Sequence, residues 1–189
     1  RPTFIFLGSV TDFNLQYPDI QIELLVSNQE FNMSNRQADI AVRATSSPPE
    51  HLVGRQVSTL NWSVFGSKRY ADKFGLPNDK DELINHSLIG ATGAMRNLPA
   101  FVWLDRHFAD QVITRCDDLT AMSYFAESGQ GLAFLPDDQL RPEIARLFGV
   151  QVNKPSNLWL LTHPDLRNVE RIKLVMQHLT KAFSQEWPS

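Results

Sequence analysis

Short apolar runs typical of strands alternate along this chain with stretches of helical periodicity. The strand-like runs are 20–26, 38–43, 60–66, 86–91, 101–104, 112–116, 131–136 and 158–162. The helix-like stretches are 27–37, 68–75, 117–131, 140–148 and 168–183. Because strands that alternate with helices build layered domains, the pattern predicts an α/β fold with a mostly parallel sheet.

Several of these stretches carry signals for where a helix begins or ends. Ser67 starts one predicted helix, and Gly75 ends it in the C-cap role. Asp117 or Asp118 caps the start of a later helix. The last predicted helix, 168–183, is amphipathic, with its charged residues on a solvated surface. Its apolar face consists of Val169, Ile172, Val175, Met176, Leu179 and Phe183.

Composition excludes several classes of protein. The chain has 189 residues, 42% hydrophobic and 21% charged, which suits one large globular domain or two small lobes. A net charge of −3 does not favour a chain that holds DNA by itself. The single cysteine, Cys116, excludes an internal disulfide and fits a reducing cytosol. We expect neither a membrane span nor a signal peptide, and the start without Met indicates processing or a fragment.

Two segments are candidates for connections between lobes. They are 60–66 in the first third of the chain and 153–161 in the last third. A chain that leaves one lobe and later returns to it makes two lobes joined by two strands. The cleft between such lobes is a natural site for a ligand, since ligands gather at the carboxyl ends of strands in open α/β sheets.

Five segments in order carry a resemblance to a known family. They are NLQYPDIQIELLVSN, NRQADIAVRATSSPPEHLVGRQV, VFGSKRYADKFGLP, DDLTAMSYFAESGQGLAFLPDD and LWLLTHPDLRNVERIKLVMQHL. This series resembles the effector-binding domain of LysR-type transcriptional regulators, from about Val10 to about Phe183. The individual segments are not specific, but their order and spacing are.

The resemblance implies a type 2 periplasmic-binding-protein-like fold, with two Rossmann-like lobes joined by two hinge strands. Lobe I would comprise 1–64 and 157–189, and lobe II would comprise 65–156. A small effector would bind in the cleft between the lobes, and DNA would be bound only by an N-terminal helix-turn-helix domain that is absent from this chain. The resemblance also implies a homodimer or tetramer.

The start of the chain departs from the family pattern. In the family a first strand precedes the helix that leads into the turn at Tyr17–Asp19. Here residues 2–16 look like that helix. Either the first strand is missing, or residues 3–7, TFIFL, serve as a shortened strand.

The end of the strand-like run 38–43 is the first candidate contact with an effector. In this fold Arg43, Ala44 and Thr45 would present a guanidinium, backbone N–H groups and a hydroxyl to the ligand. An arginine fork recognises a carboxylate, so we expect an effector with an anionic group. The alternative is that Arg43 pairs with a structural acid such as Asp39 or Glu50.

Three further positions are candidates in lobe II. The loop at Thr92 and Gly93 can cradle an anion with its amides, or it is a plain turn. The helix start at Asp118 and Leu119 directs N–H groups toward a ligand, although the aspartate can cap those groups itself. Ser67 either touches a ligand or caps its own helix, and the sequence favours capping.

No residue pattern favours an enzyme or a metal site. The five histidines lack zinc-ligand spacing. Ser128 and the glycines around it are in the wrong order for a nucleophile elbow, and a neighbouring aspartate would not activate Cys116. We therefore expect no catalytic residue, metal or cofactor, and no membrane partner. A periplasmic solute-binding receptor of the same fold is the alternative to a regulator.

Overall fold

The computed structural model describes residues 2–26, 38–151 and 156–186. The chain divides into two compact units. Unit 1 comprises Arg1–Leu60 and Pro155–Ser189, and unit 2 comprises Asn61–Lys154. Each unit contains its own β-sheet. The lobe boundaries drawn from the sequence, at 64/65 and 156/157, stay a prediction.

Strands and helices alternate in part of the chain only. The strands are β1 (Ile40–Thr45), β2 (Val53–Leu60), β3 (Trp62–Ser67), β4 (Leu88–Ala91), β5 (Val112–Cys116), β6 (Leu132–Pro136), β7 (Ile144–Val150) and β8 (Ser156–Thr162). The α-helices are α1 (Pro2–Gln16), α2 (Lys68–Phe74), α3 (Pro99–Phe108), α4 (Leu119–Glu127) and α5 (Glu170–Glu186). Short 3-10 helices cover Asp81–Asn85, Gly93–Asn97, Ala109–Gln111 and Asp137–Gln139.

The sheet of unit 1 has the strand order β1–β8–β2, and β8 is antiparallel to both neighbours. Successive side chains of a strand point to opposite faces of its sheet. Accordingly Leu158 of β8 packs with Leu60 and with Phe183 of α5, whereas Leu161 packs with Leu52. Both faces of this sheet are therefore apolar, and α5 covers the first of them.

The sheet of unit 2 has the strand order β5–β4–β6–β3–β7. Strand β4 runs parallel to β5 and β6, whereas β3 runs antiparallel to β6 and β7. Phe101 of α3 meets Trp62 edge-on at 5.7 Å between ring centroids, and Met122 of α4 is fully buried. The prediction of a mostly parallel sheet is wrong for the described strands, because β3 enters unit 2 in the direction opposite to β4.

The N-terminal region differs from two sequence-based expectations. Residues 2–16 are helical, so TFIFL is not a strand, and α1 packs on α5 through the buried Phe13. The turn at Pro18 is confirmed by a hydrogen bond from Ile20 N–H to Tyr17 O. The strand predicted at 20–26 is wrong, since these residues pair with no described strand and Val26 is exposed. The helix predicted at 27–37 lies outside the described residues.

Two elements of unit 2 have the wrong type in the sequence-based prediction. The run 101–104 belongs to α3, which starts at Pro99 and buries Phe101 and Leu104, three positions apart. The helix predicted at 140–148 is replaced by strand β7, because residues 144–150 complete the sheet beside β3. Strand β2 was not predicted over most of its length. The other predicted strands and helices are confirmed.

The packing of α3 on unit 2 gives a test of this architecture. Phe101→Ala removes a fully buried ring and should lower the free energy of unfolding by about 3–5 kcal/mol. Urea-induced unfolding followed by circular dichroism measures this change. Phe74→Ala is the matched control, since Phe74 is 62% exposed and its loss should cost at most about 1 kcal/mol. Equal losses in the two variants would contradict the burial of Phe101 in the core of unit 2.

Candidate functional site

The carboxyl end of β1 carries the three candidate residues of unit 1. Arg43 is half-buried and lies opposite Trp159 in the β1–β8 register. Ala44 is exposed and Thr45 is half-buried. The Thr45 hydroxyl donates to Ser47 O at 3.0 Å and accepts from Ser47 N–H at 3.1 Å. This hydroxyl therefore closes a local turn, so Arg43 and the exposed residue Ala44 are the stronger candidates for a ligand contact.

The loops after β4 and β5 meet at one edge of the unit 2 sheet. These two strands are parallel, so their carboxyl ends lie side by side. Thr92 N–H donates to Cys116 O at 3.0 Å, which extends the pairing past the end of β4. Gly93 has a φ of 58°, and a methyl group in place of its hydrogen would lie 4.0 Å from Cβ of Asp117. The structure thus brings Thr92 and Gly93 next to the residues that start α4.

The start of α4 is capped by the helix's own sequence. Asp118 Oδ1 accepts a hydrogen bond from Ala121 N–H at 2.7 Å, and Asp118 O accepts from Met122 N–H at 3.0 Å. The capping prediction for Asp118 is confirmed. Because its carboxylate already lies against the positive end of the helix, this position disfavours a second negative charge.

An ionic network of Asp105, Arg96 and Arg115 stabilises the loop that follows β4. Asp105 of α3 accepts hydrogen bonds from Arg96 Nε at 3.0 Å and from Arg115 Nη2 at 2.8 Å. Arg115 Nη1 also donates to Ala91 O at 3.0 Å. Burial alone would raise the pKa of the Asp105 carboxyl, but the hydrogen bonds from Arg115 and Arg96 outweigh it and lower that pKa. The carboxylate consequently stays ionised below its usual pH range.

Ser67 lies away from the other candidates of unit 2. Strand β3 is antiparallel to β6, and β6 is parallel to β4, so β3 ends at the edge where β4 and β6 begin. Ser67 is buried, and its hydroxyl oxygen accepts from Tyr70 N–H at 3.2 Å. The capping role that the sequence favoured is confirmed. The structure does not bring this residue together with Thr92 or Asp118.

A second polar network lies near Ser67 and has a structural role. The Tyr70 hydroxyl accepts from Ser87 N–H at 3.0 Å and lies 3.1 Å from His86 Nδ1. The Tyr70 hydroxyl and the His86 ring share a hydrogen bond whose direction depends on the tautomer of the imidazole. Burial lowers the pKa of His86 despite the opposing charge of Glu82, which agrees with a neutral ring. Burial also raises the pKa of Tyr70, partly offset by the Ser87 hydrogen bond.

Sequence reasoning missed one polar cluster at the edge where β6 ends. The fully buried Ser63 donates to Asp137 Oδ1 at 2.6 Å and accepts from Arg146 Nε at 2.8 Å. Asp137 N–H also donates to Asn61 O at 2.9 Å. Asp137 could have been found, because it follows a buried strand as Asp117 does. Arg146 could not, since its segment was predicted to be a helix.

The described residues hold neither a metal cluster nor a membrane-spanning helix. Residues 2–26, 38–151 and 156–186 contain no group of three or more His, Cys, Asp or Glu side chains placed to hold a metal ion. Over the same ranges no helix combines the length and hydropathy needed to cross a membrane.

Comparison with known proteins identifies the class to which this fold and these residues belong. Residues 3–184 match the family described as the LysR substrate binding domain. The chain therefore belongs to this family, whose fold is type 2 periplasmic-binding-protein-like, and the resemblance noted in the sequence is confirmed. Its members are transcriptional regulators and not enzymes, as predicted.

Particular curated relatives are regulators of bacterial transcription. An HTH-type transcriptional regulator of Xanthomonas campestris pv. campestris is 29% identical over 139 residues, which cover 69% of this chain and 40% of that protein. The HTH-type transcriptional regulator CrgA of Neisseria meningitidis serogroup C is 34% identical over 82 residues, or 43% of this chain and 27% of that protein. The matched regions span less than half the length of these relatives.

Solved structures support the same fold. The regulatory domain of CrgA, a LysR-type transcriptional regulator from Neisseria meningitidis, superimposes with a TM-score of 0.79 at 22% identity, covering 94% of this chain and 91% of that one. The effector domain of the regulator AmpR of Pseudomonas aeruginosa superimposes with a TM-score of 0.73 at 19% identity, covering 96% and 90%. At these identities the similarity establishes the fold alone.

The α4 cap gives a test of the candidate site in unit 2. Asp118→Ala removes the acceptor for Ala121 N–H and should lower the free energy of unfolding by about 1 kcal/mol. Asp118→Asn keeps a side-chain oxygen and should change it by a few tenths of a kcal/mol at most, which thermal unfolding can resolve. If both variants lost the same stability, the charge of Asp118 and not its capping bond would be responsible.

Proposed function

We propose that this chain is the effector-sensing part of a LysR-type bacterial transcription factor. The observation that carries this proposal is the family match over residues 3–184. The curated relatives are named as HTH-type transcriptional regulators and are longer than the region matched here. We therefore infer that DNA is bound through an N-terminal helix-turn-helix domain outside this chain, and that the whole regulator acts in the cytoplasm.

On unit 1 we propose that Arg43, Ala44 and Thr45 contact a small metabolite with an anionic group. Arg43 is half-buried, so its surroundings are less polar than water and a charge pair made there is stronger than at the surface. The exposed Ala44 lies next to it at the end of β1.

On unit 2 we propose that Thr92, Gly93 and the Asp118–Leu119 start of α4 contact a small metabolite. The aspartates beside this loop make it a poor site for a carboxylate and a good one for a hydroxyl or ammonium group. Ser67 is left out, since its hydroxyl caps α2 at the other edge of the sheet.

A ligand screen tests this function. We expect the thermal unfolding temperature of the chain to rise with at least one small carboxylate and not with its uncharged counterpart, because binding to the folded state alone stabilises it. Suitable pairs are benzoate with benzyl alcohol and succinate with 1,4-butanediol. A periplasmic receptor would also bind a ligand, but the curated relatives do not favour that alternative. A chain that no metabolite stabilises would contradict the sensing function itself.

Arg43→Ala tests the role assigned to unit 1. Loss of a charge-assisted pair should raise the dissociation constant for a carboxylate found in the screen by about tenfold or more, measured by titration calorimetry. Arg55→Ala is the matched control, because Arg55 is an exposed arginine on the neighbouring strand β2 of the same sheet. Unchanged affinity in Arg43→Ala would remove Arg43 from the site.

We also propose that the chain forms a homodimer. Apolar side chains are exposed on α1 of unit 1 and on and after α4 of unit 2: Leu7, Leu15, Tyr124, Phe125 and Leu140. A patch of exposed apolar side chains marks a surface that a partner covers, and we assign these residues to that surface.

The oligomeric state can be measured by size-exclusion chromatography with light scattering. Leu15→Glu places a charge at a position 78% exposed in this chain and should shift a dimer toward monomer without unfolding it. Phe74→Glu, at an exposed position on α2 of unit 2, should leave the dimer intact. A wild-type chain that elutes as a monomer at micromolar concentration would contradict the proposed dimer.

A further inference from the structure

The loop between β4 and α3 is held at both of its ends by one carboxylate. At the start of the loop, Ala91 O accepts a hydrogen bond from Arg115. Near its end, Arg96 donates a hydrogen bond to Asp105 of α3. Both guanidinium groups donate to Asp105, at 2.8 Å from Arg115 Nη2 and 3.0 Å from Arg96 Nε. Thr92 and Gly93 lie between these two points, so the span of the loop depends on Asp105.

The path of the Arg115 side chain requires a glycine in the neighbouring strand. A methyl group on Gly90 would lie 3.0 Å from Arg115 Nη1 and 2.7 Å from a methyl carbon of Val112. The absence of a side chain at Gly90 thus lets the guanidinium cross β4 and reach Ala91 O and Asp105 together. This crossing ties β5, β4 and α3 into one arrangement beneath the loop.

The burial of the three side chains decides which of the two ion pairs matters more. The Asp105 side chain is 19% exposed, that of Arg115 32% and that of Arg96 53%. Breaking a charge pair costs more when the pair is shielded from water, because one charge is then left without a partner, whereas breaking an exposed pair costs little. The Asp105–Arg115 pair is therefore the stronger of the two ion pairs. The Asp105–Arg96 pair is weaker and holds the end of the loop that leads into α3.

We propose that Asp105 is a positioning residue that fixes the conformation of the Thr92–Gly93 loop for effector binding. This inference rests on the proposed function, which assigns that loop to the effector. Asp105 acts through Arg96 and Arg115 and does not itself touch the ligand. A preorganised loop loses less conformational freedom on binding, so its rigidity raises affinity without adding a contact.

The lowered pKa of Asp105 supports the arrangement and fixes the direction of its pH dependence. A carboxyl whose folded-state pKa is depressed contributes stability that is fully present above its unfolded-state pKa, about 3.9. That contribution is lost as the pH falls through the folded-state pKa. The loop should therefore stay ordered throughout the range from pH 5 to pH 8.

Amide hydrogen exchange measured by NMR on the whole chain tests the positioning role. The reporters are the amides of Thr92 and Leu98, which donate to Cys116 O and Met95 O. In Asp105→Asn their exchange at pH 7 should accelerate about tenfold or more, since the charge-assisted bonds of both arginines are weakened. The amide of Leu132, which donates to Ser87 O on the other edge of the same sheet, should change by less than about twofold.

Two further variants separate local positioning from general stability. Arg96→Gln removes only the exposed ion pair with Asp105, so it should accelerate amide exchange at Leu98 more than at Thr92. This variant replaces Asp105→Asn in the test if Asp105→Asn fails to fold. Asp72→Asn removes the exposed ion pair with Lys68 on α2 and should leave all three reporters unchanged.

The outcomes distinguish this inference from the proposed function. Selective acceleration at Thr92 and Leu98 supports the positioning role, even if the ligand screen finds no metabolite and the sensing function fails. Equal acceleration at Leu132 would show that Asp105 only stabilises unit 2 as a whole, and unchanged exchange at all reporters would show that the loop does not depend on it. Either of these results overturns the inference, whatever the ligand screen finds.

Discussion

The direction in which β3 enters unit 2 determines where the candidate ligand groups of that unit lie. Strand β3 begins at Trp62, directly after the unit boundary, and runs antiparallel to β6. Because β4 is parallel to both β5 and β6, all three of these strands end at the edge where β3 begins. The loops that follow them therefore gather Thr92, Asp118 and Asp137 at one edge, whereas Ser67 follows a strand of opposite direction and lies at the other.

Features that depend on neighbouring residues could be predicted from the sequence. Ser67 and Asp118 cap their helices as expected, because a cap is a bond between a side chain and an amide three positions on. The ordered series of segments also predicted the family and its fold correctly. The effector contacts at Arg43 and Thr92 stay predictions, since no ligand identity follows from either the sequence or the fold.

Features that depend on residues distant in the chain could not be predicted from the local sequence pattern. Residues 144–150 form a strand because β3 offers them an open edge, although Pro142 and the charged residues around it were compatible with a helix start. Residues 20–26 alternate as a strand does, yet pair with no strand in the part of the chain that the structure describes. The link between Arg115 and Asp105 likewise joins two elements that only the fold brings together.

The central position of β8 has a consequence for how the chain is made. Among the described strands, β1 and β2 pair with β8 and not with each other. A ribosome completes both of these strands well before residues 156–162 emerge, so their edges stay unpaired while the contiguous segment 61–154 is already complete. Of the two units, unit 1 is thus begun first and completed last, and nascent chains that stop short of β8 expose strand edges that invite aggregation.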